Sequence, residues 1–218
     1  MNDFKIHGQS LTLTPEGCVF LKQSSTLVAA DLHLGKSAAF RAGGLPVPEG
    51  DTAYDLARIA ALVETHQAAR LVIAGDLFHA PAGITPEISA TLSRFLAEIH
   101  IPLHLVSGNH DAKLHSLPCG LAAVHALDLD GIRIIHDPAD SAPGPRLHLA
   151  GHWHPLVKLR DGARTFLRLP CFLLRGHTLV MPSFGSFTGG AVIDRQPGDR
   201  TFAALRERVV EIPNELRS

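Results

Sequence analysis

Thr26-Leu27-Val28-Ala29-Ala30-Asp31-Leu32-His33-Leu34-Gly35 joins a short apolar run to a carboxylate and an imidazole two residues apart. A run of this length, stopped by polar residues and a glycine, reads as a buried strand. At its end, Asp-x-His sets two metal-ligand types on one side of the backbone. The tripeptide alone is common, so its weight depends on how the other strands end. Arg70 to Ala74 stops at Gly75-Asp76, and Leu103 to Val106 stops at Gly108-Asn109-His110-Asp111. Ile132 to Ile135 runs into His136, and Leu147 to Ala150 runs into Gly151-His152-Trp153-His154. A chance distribution would scatter these side chains over strands, helices and loops. In α/β sheets, loops and ligands converge at the C-terminal ends of strands, and here the residues at those ends are repeatedly of the metal-binding kind.

The intervening segments complete an α/β pattern. Asp51 to Thr65 carries Ala53, Leu56, Ala60 and Val63 on one helical face. Thr85-Pro86-Glu87 starts a second helix, with a capping residue, a first-turn proline and an acid at the positive end. Ile88, Leu92, Phe95, Leu96 and Ile99 form its buried stripe. The segment after Gly35, with Gly43-Gly44, Pro46 and Pro48, reads as a loop, and Leu117 to Ala126 as a short helix. Residues 4–21 alternate around Pro15-Glu16-Gly17 as an antiparallel hairpin. The last third is antiparallel too, with Val157 to Arg160 and Thr165 to Leu169 joined by an Asp161-Gly162 turn. A Gly-rich loop spans residues 183–190. No repeat, low-complexity tract or linker interrupts residues 1–218, which read as one domain.

Composition narrows the functional classes. With 45% hydrophobic and 19% charged residues, the chain is an ordinary globular one, and 218 residues suffice for a large core. No apolar run approaches the ~20 residues of a membrane helix, and no signal pattern opens the chain, which points to the cytoplasm and away from the membrane. Cys18, Cys119 and Cys171 are odd in number and widely spaced, hence expected as buried free thiols rather than a disulfide or zinc framework. A net charge of −1 announces no global nucleic-acid field, but it divides unevenly. Residues 1–150 hold 10 Lys/Arg against 15 Asp/Glu, and residues 151–218 hold 10 against 6. Cations bound by the N-terminal carboxylates would leave a more basic surface than −1 suggests.

The strand-end residues are Asp, Asn and His without a thiolate, which suits Mn²⁺, Fe²⁺ or Zn²⁺. Asp31, His33, Asp76, Asn109, His136, His152 and His154 are too many for one ion with open positions. Two ions about 3.5–4 Å apart, bridged by a carboxylate, fit better. Such a pair makes hydroxide available at neutral pH and neutralises charge on a phosphoryl group.

In order, Asp31-x-His33, Gly75-Asp76, Gly108-Asn109-His110-Asp111, His136 and Gly151-His152-x-His154 resemble the motif set of the calcineurin-like metallophosphoesterases. The resemblance implies a four-layer α/β/β/α sandwich of two mixed sheets flanked by helices. It implies one ion held by Asp31, His33 and His154, a second by Asn109, His136 and His152, and Asp76 as the bridge. His110, beside the ligand Asn109, would assist the leaving oxygen, oriented by Asp111.

Gly75-Asp76-Leu77-Phe78-His79 lacks the further Asp that many relatives carry, and is similar to nuclease subunits of double-strand-break repair complexes. The compact length and the loop Met181 to Gly190 resemble the small bacterial metallophosphoesterases associated with a DNA ligase and helicase (PdeM-type). That subgroup implies a Mn²⁺-dependent DNA endonuclease, expected to act on single-stranded DNA, with a ligase and a helicase as functional partners; edge strands or the C-terminal segment offer surfaces for a homodimer. A small-molecule phosphatase or cyclic-nucleotide phosphodiesterase needs the same metal core and stands as the alternative. A non-enzymatic scaffold of this fold would lack ligands, and none is missing.

Some residues keep two readings. His79 either faces substrate or packs its loop. Lys36 and Arg41 either position phosphates or are solvated surface charges. Phe40, Phe184 and Phe187 either stack on unpaired bases or fill the core. Strand alternation turns Trp153 away from the metals and into the core, and His104 and His148 read as packed or edge histidines.

Overall fold

The computed structural model describes residues 2–161 and 165–213. Its first sheet takes seven strands in chain order: β1 (Asn2–Ile6), β2 (Gln9–Leu13), β3 (Val19–Leu21), β4 (Thr26–Ala29), β5 (Arg70–Ala74), β6 (Leu103–Val106) and β7 (Ala123–Val124). The first three are antiparallel, and β4 to β7 pair in parallel. The second sheet holds β8 (Leu127–Leu129), β9 (Ile132–Ile134), β10 (His148–Ala150), β11 (Pro155–Asp161), β12 (Thr165–Arg175), β13 (Thr178–Val180), β14 (Ala191–Val192), β15 (Arg200–Ala204) and β16 (Val209–Ile212). It is also mixed, with β9, β10 and β13 parallel and the hairpin β11–β12 antiparallel. Gly162 of the expected Asp161-Gly162 turn lies outside the described residues.

The parallel strands read as unbroken apolar runs because both their faces are covered. Leu27, Ile73 and Leu105 point to one side. There they meet Leu56 and Ile59 of α2 (Asp51–His66, following α1 at Lys36–Ala42) and Leu92 and Phe95 of α3 (Pro86–Ile99). Val28, Val72 and Val106 point to the other side and pack on Ile134, Leu149, Phe172 and Leu179 of the second sheet. Full burial of each such side chain contributes ~1.5–3 kcal/mol. The result is two mixed sheets packed face to face, with α1, α2 and α3 between strands of the first. Among the described residues, no helix is long and apolar enough to cross a membrane.

Helix α3 starts as its sequence implies, with the Thr85 hydroxyl accepting from the Ile88 amide at 3.3 Å and Pro86 in the first turn. Two expectations are corrected. Residues 36–42 form α1 rather than a loop; its seven residues are too few to show a period and Gly35 supplies no side-chain cap. Leu117 to Ala126 is not a helix: Pro118 and Gly120 allow a single 3₁₀ turn, after which β7 adds to the sheet edge. All three cysteines are free and Cys18 and Cys171 are buried as expected, but Cys119 is exposed, because it lies in the surface turn Pro118–Gly120.

Candidate metal centre

The loops after β4, β5, β6, β9 and β10 converge between the two sheets. Asp31, His33, Asp76, His152 and His154 all have positive φ, between 44° and 70°. Non-glycine residues rarely adopt this conformation, and it persists where surrounding structure over-determines it, as at functional sites. The reversal at both members of Asp31-x-His33 and His152-x-His154 breaks strand alternation and brings i and i+2 to one point. It also corrects the expectation for Trp153, which is 37% exposed under the Arg175 guanidinium rather than in the core.

Two ligand groups result. Asp31, His33 and His154 bring one ligand atom each to within 4.8 Å of one another, as do Asp76, His136 and His152. Asn109 joins the second group, its Oδ1 lying 3.1 Å from His136 Nε2. Asp76 lies between the groups, with Oδ2 3.6 Å from His136 Nε2 and 4.0 Å from His33 Nε2.

Hydrogen bonding fixes which ring atoms face inward. His154 Nδ1 donates to the Gly189 carbonyl (3.2 Å) and His136 Nδ1 to the Ala74 carbonyl (3.2 Å). In the neutral imidazole, the form that binds a metal, each Nε2 is then the nitrogen with the lone pair. His154 Nε2 faces His33 Nε2 at 3.5 Å and Asp31 Oδ1 at 3.4 Å. His136 Nε2 faces His152 Nδ1 at 3.1 Å. Asp31 Oδ2 accepts from the His152 amide, but Oδ1 is buried with no hydrogen-bond partner. Buried acceptors that converge without a donor are costly, and a divalent cation is the partner they lack. Burial, aided by the neighbouring His154, pushes His33 down to about 2, so it is a neutral imidazole able to coordinate. Burial raises the Asp76 carboxyl, with His136 and the His110 amide pulling it back. The residues fit two divalent ions, one at each group.

Close approach requires glycine beside these ligands. A Cβ on Gly75, whose φ is +85°, would lie 2.0 Å from His136 Nδ1, and one on Gly108 would lie 2.1 Å from Asp76 Oδ1. Gly75→Ala is therefore expected to displace His136, and elemental analysis should find fewer than two metal ions per chain.

His110 stands beside the centre. Its Nδ1 donates to the His79 carbonyl at 2.5 Å, leaving Nε2 3.9 Å from Asp76 Oδ2. Its orientation thus comes from a backbone carbonyl, which corrects the role expected of Asp111. The buried Asp111 carboxylate instead accepts from the amides of Leu77, Phe78 and Gly108. His79 stacks on His110, with ring centroids 5.1 Å apart, and completes a third cluster with His33. Burial and the charge of Lys36 push His79 down to about 4. Lys36, the half-buried first residue of α1, thus sits close enough to feel both His33 and His79. Arg41 does not reach the centre's chemistry: it pairs with Glu49 and bonds the Val47 and Pro48 carbonyls, closing the loop after α1.

The family model of the calcineurin-like phosphoesterases matches residues 24–180, most of the chain and every residue of both ligand groups. The chain belongs to this family. It is a hydrolase acting on phosphoesters, and the family uses divalent metal ions. Among solved structures, it is similar to the Pseudomonas putida nuclease MPE: 29% identity, 96% of this chain and 99% of that one covered, TM-score 0.80. A phosphoesterase from E. coli, Yfce, matches at 17% identity over 86% of this chain and 97% of its own, TM-score 0.43. No curated protein matches the chain significantly. The phosphoesterase reading was carried by side chains in strand-end motifs. The groups that sequence reasoning missed are backbone ones, the carbonyls of Ala74, His79 and Gly189 that set three imidazole orientations. Only the glycine preceding Asp76, Asn109 and His152 hinted at such crowding.

Proposed function

We propose that this phosphoesterase is a two-metal, Mn²⁺-dependent phosphodiesterase of the cytoplasm that cuts single-stranded DNA internally, in repair alongside a DNA ligase and a helicase. The observation that carries the nuclease reading is the end-to-end likeness to the P. putida nuclease, at 29% identity over nearly the whole of both chains. Asp31, His33 and His154 would hold one ion and Asn109, His136 and His152 the other, with Asp76 placed to serve both. Divalent ions there supply Lewis acidity toward the phosphoryl group and lower the pKa of water. The remaining chemistry belongs to the chain. His110, held through Nδ1 by the His79 carbonyl, presents Nε2 to donate a proton to the leaving oxygen. Lys36, the first residue of α1, supplies positive charge that disfavours protonation of His33 and His79. Phe40 lies 5.8 Å from the His79 ring and 5.7 Å from Phe187, which is 39% exposed, so an aromatic edge flanks the site. Unpaired bases stack on such edges. Phe184 is not part of it, being buried under the Arg58 guanidinium.

Circular single-stranded DNA incubated with the protein and Mn²⁺ is expected to be cut. His110→Ala should slow cutting by roughly 10²–10⁴-fold, the usual weight of a positioned acid, without loss of bound metal. A circle left intact under conditions that hydrolyse a small phosphodiester would remove DNA as the substrate.

A further inference from the structure

We propose that one face of the β11–β12 hairpin, bearing Lys158, Arg160, Phe166 and Arg168, is the track along which single-stranded DNA leaves the metal centre. β11 begins at Pro155, the residue after the ligand His154. Strand alternation puts Leu156, Lys158 and Arg160 on one face. The antiparallel register sets Pro170, Arg168 and Phe166 directly opposite them. Leu156 and Pro170 help wall a cleft of about 360 Å³ that is also lined by His154, Tyr54, Arg58 and Gly190. The next two cross-strand pairs, Lys158 with Arg168 and Arg160 with Phe166, follow directly after a pair that lines this cleft, whose walls include the metal ligand His154. At about 3.3 Å per residue, Lys158 stands ~13 Å and Arg160 ~20 Å beyond His154, a reach of several nucleotides.

Among the described residues, the charges on this face have no carboxylate partner. Lys158 and Arg168 sit directly opposite each other, an arrangement that destabilises a hairpin. Among the described residues, Lys158, Arg160 and Arg168 form no ion pair, whereas Arg58, Arg133, Arg146, Arg175 and Arg200 all meet carboxylates. Arg58, the cleft's own cation, is already neutralised by Asp55. Phe166 is 43% exposed, with the Lys158 ammonium 4.0 Å and the Arg160 guanidinium 5.9 Å from its ring centroid. Unpaired cations around an exposed aromatic ring complement a phosphate backbone with unstacked bases. The opposite face is anchored: Val157, Leu159 and Leu169 pack with Cys171, Ala203 and Ile212, which fixes the side the cations present.

The track rests on the nuclease reading, and the two can be separated. Metal-free full-length protein is titrated into fluorescent oligothymidylate over a range of salt. Each phosphate contact on a single strand contributes about 0.7 to the slope of log affinity on log salt. Lys158→Gln, Arg160→Gln and Arg168→Gln combined should weaken binding at least tenfold at low salt and cut the slope by about 2. Phe166→Ser should weaken binding about fivefold or more and leave the slope as it was. Circular dichroism and melting temperature establish that both variants fold. If the triple variant keeps the parent's affinity and slope while the parent cuts circular DNA, the hairpin is not the track and the nuclease reading stands. If the parent neither binds the oligonucleotide nor cuts the circle, the nuclease reading fails and the track with it. A triple variant that weakens while Phe166→Ser does not would overturn the stacking role.

Discussion

Asp76→Asn is expected to lower phosphoester hydrolysis by on the order of a thousandfold or more, beyond the loss of a single oxyanion donor, while leaving the metal-free protein at least as stable as the parent. Asp76 is 2% exposed, and its Oδ2 faces nitrogens of His136, His110 and His33 at 3.6, 3.9 and 4.0 Å. Burial raises its carboxyl, and the Asp31 carboxylate raises it further. Two carboxylates in one dry pocket repel until cations arrive, so the metal-free fold carries their cost. An amide of the same shape removes one charge and keeps the Oδ1 acceptor for the His110 amide, a 2.8 Å bond in the parent. It is a poor bridge between two cations. At a metal concentration about 100-fold above Kd, the parent should gain about 2.7 kcal/mol from binding, and the variant only a small part of that. Melting curves with chelator and with added Mn²⁺ read both effects. A variant whose Mn²⁺-induced rise equals the parent's would show that Asp76 is no ligand.

Much of the fold was legible because period and burial coincide in the first sheet. Leu27 and Val28, or Ile73 and Ala74, go to opposite cores, and such strands cannot look other than continuously apolar. The residues of the two ligand groups were legible for a related reason: a parallel strand delivers its next residues to the same end as its neighbours. Helix α1 was hidden because seven residues make fewer than two turns of buried stripe, only Ser37 and Ala38 being buried. Trp153 was misread because alternation assumes extended backbone, and His152 and His154 are both in the left-handed region. The role of Asp111 was misread because sequence adjacency to His110 suggested side-chain contact, whereas the carboxylate turns back to the amides of another loop. The part of the site made of carbonyls and amides has no residue type and left almost no trace in the sequence.

That same carboxylate carries the largest effect expected on stability. Asp111→Ala should destabilise the protein by about 3–5 kcal/mol, because each buried amide left without an acceptor costs about 1–3 kcal/mol and three lose theirs. Oδ2 accepts from Leu77 and Gly108 at 3.2 and 3.1 Å, and Oδ1 from Phe78 at 3.0 Å. The residue is 3% exposed, so water enters poorly to replace it. Asp111→Asn should cost less, about 1–2 kcal/mol. An amide oxygen in the Oδ2 position still serves two donors, and only the Phe78 amide then meets an NH₂. The order Ala worse than Asn distinguishes lost hydrogen bonds from lost charge, since a purely electrostatic role would make the two alike. Denaturant midpoints with an unchanged m-value measure it. The consequence reaches the chemistry through His79, which ends the loop that Asp111 pins and whose carbonyl holds His110. Hydrolysis by Asp111→Asn should therefore fall mainly in kcat, with two metal ions retained, although Asp111 touches neither metal ligand atoms nor substrate. A variant as stable and as active as the parent would mean that the loop from Gly75 to His79 holds its shape without this carboxylate.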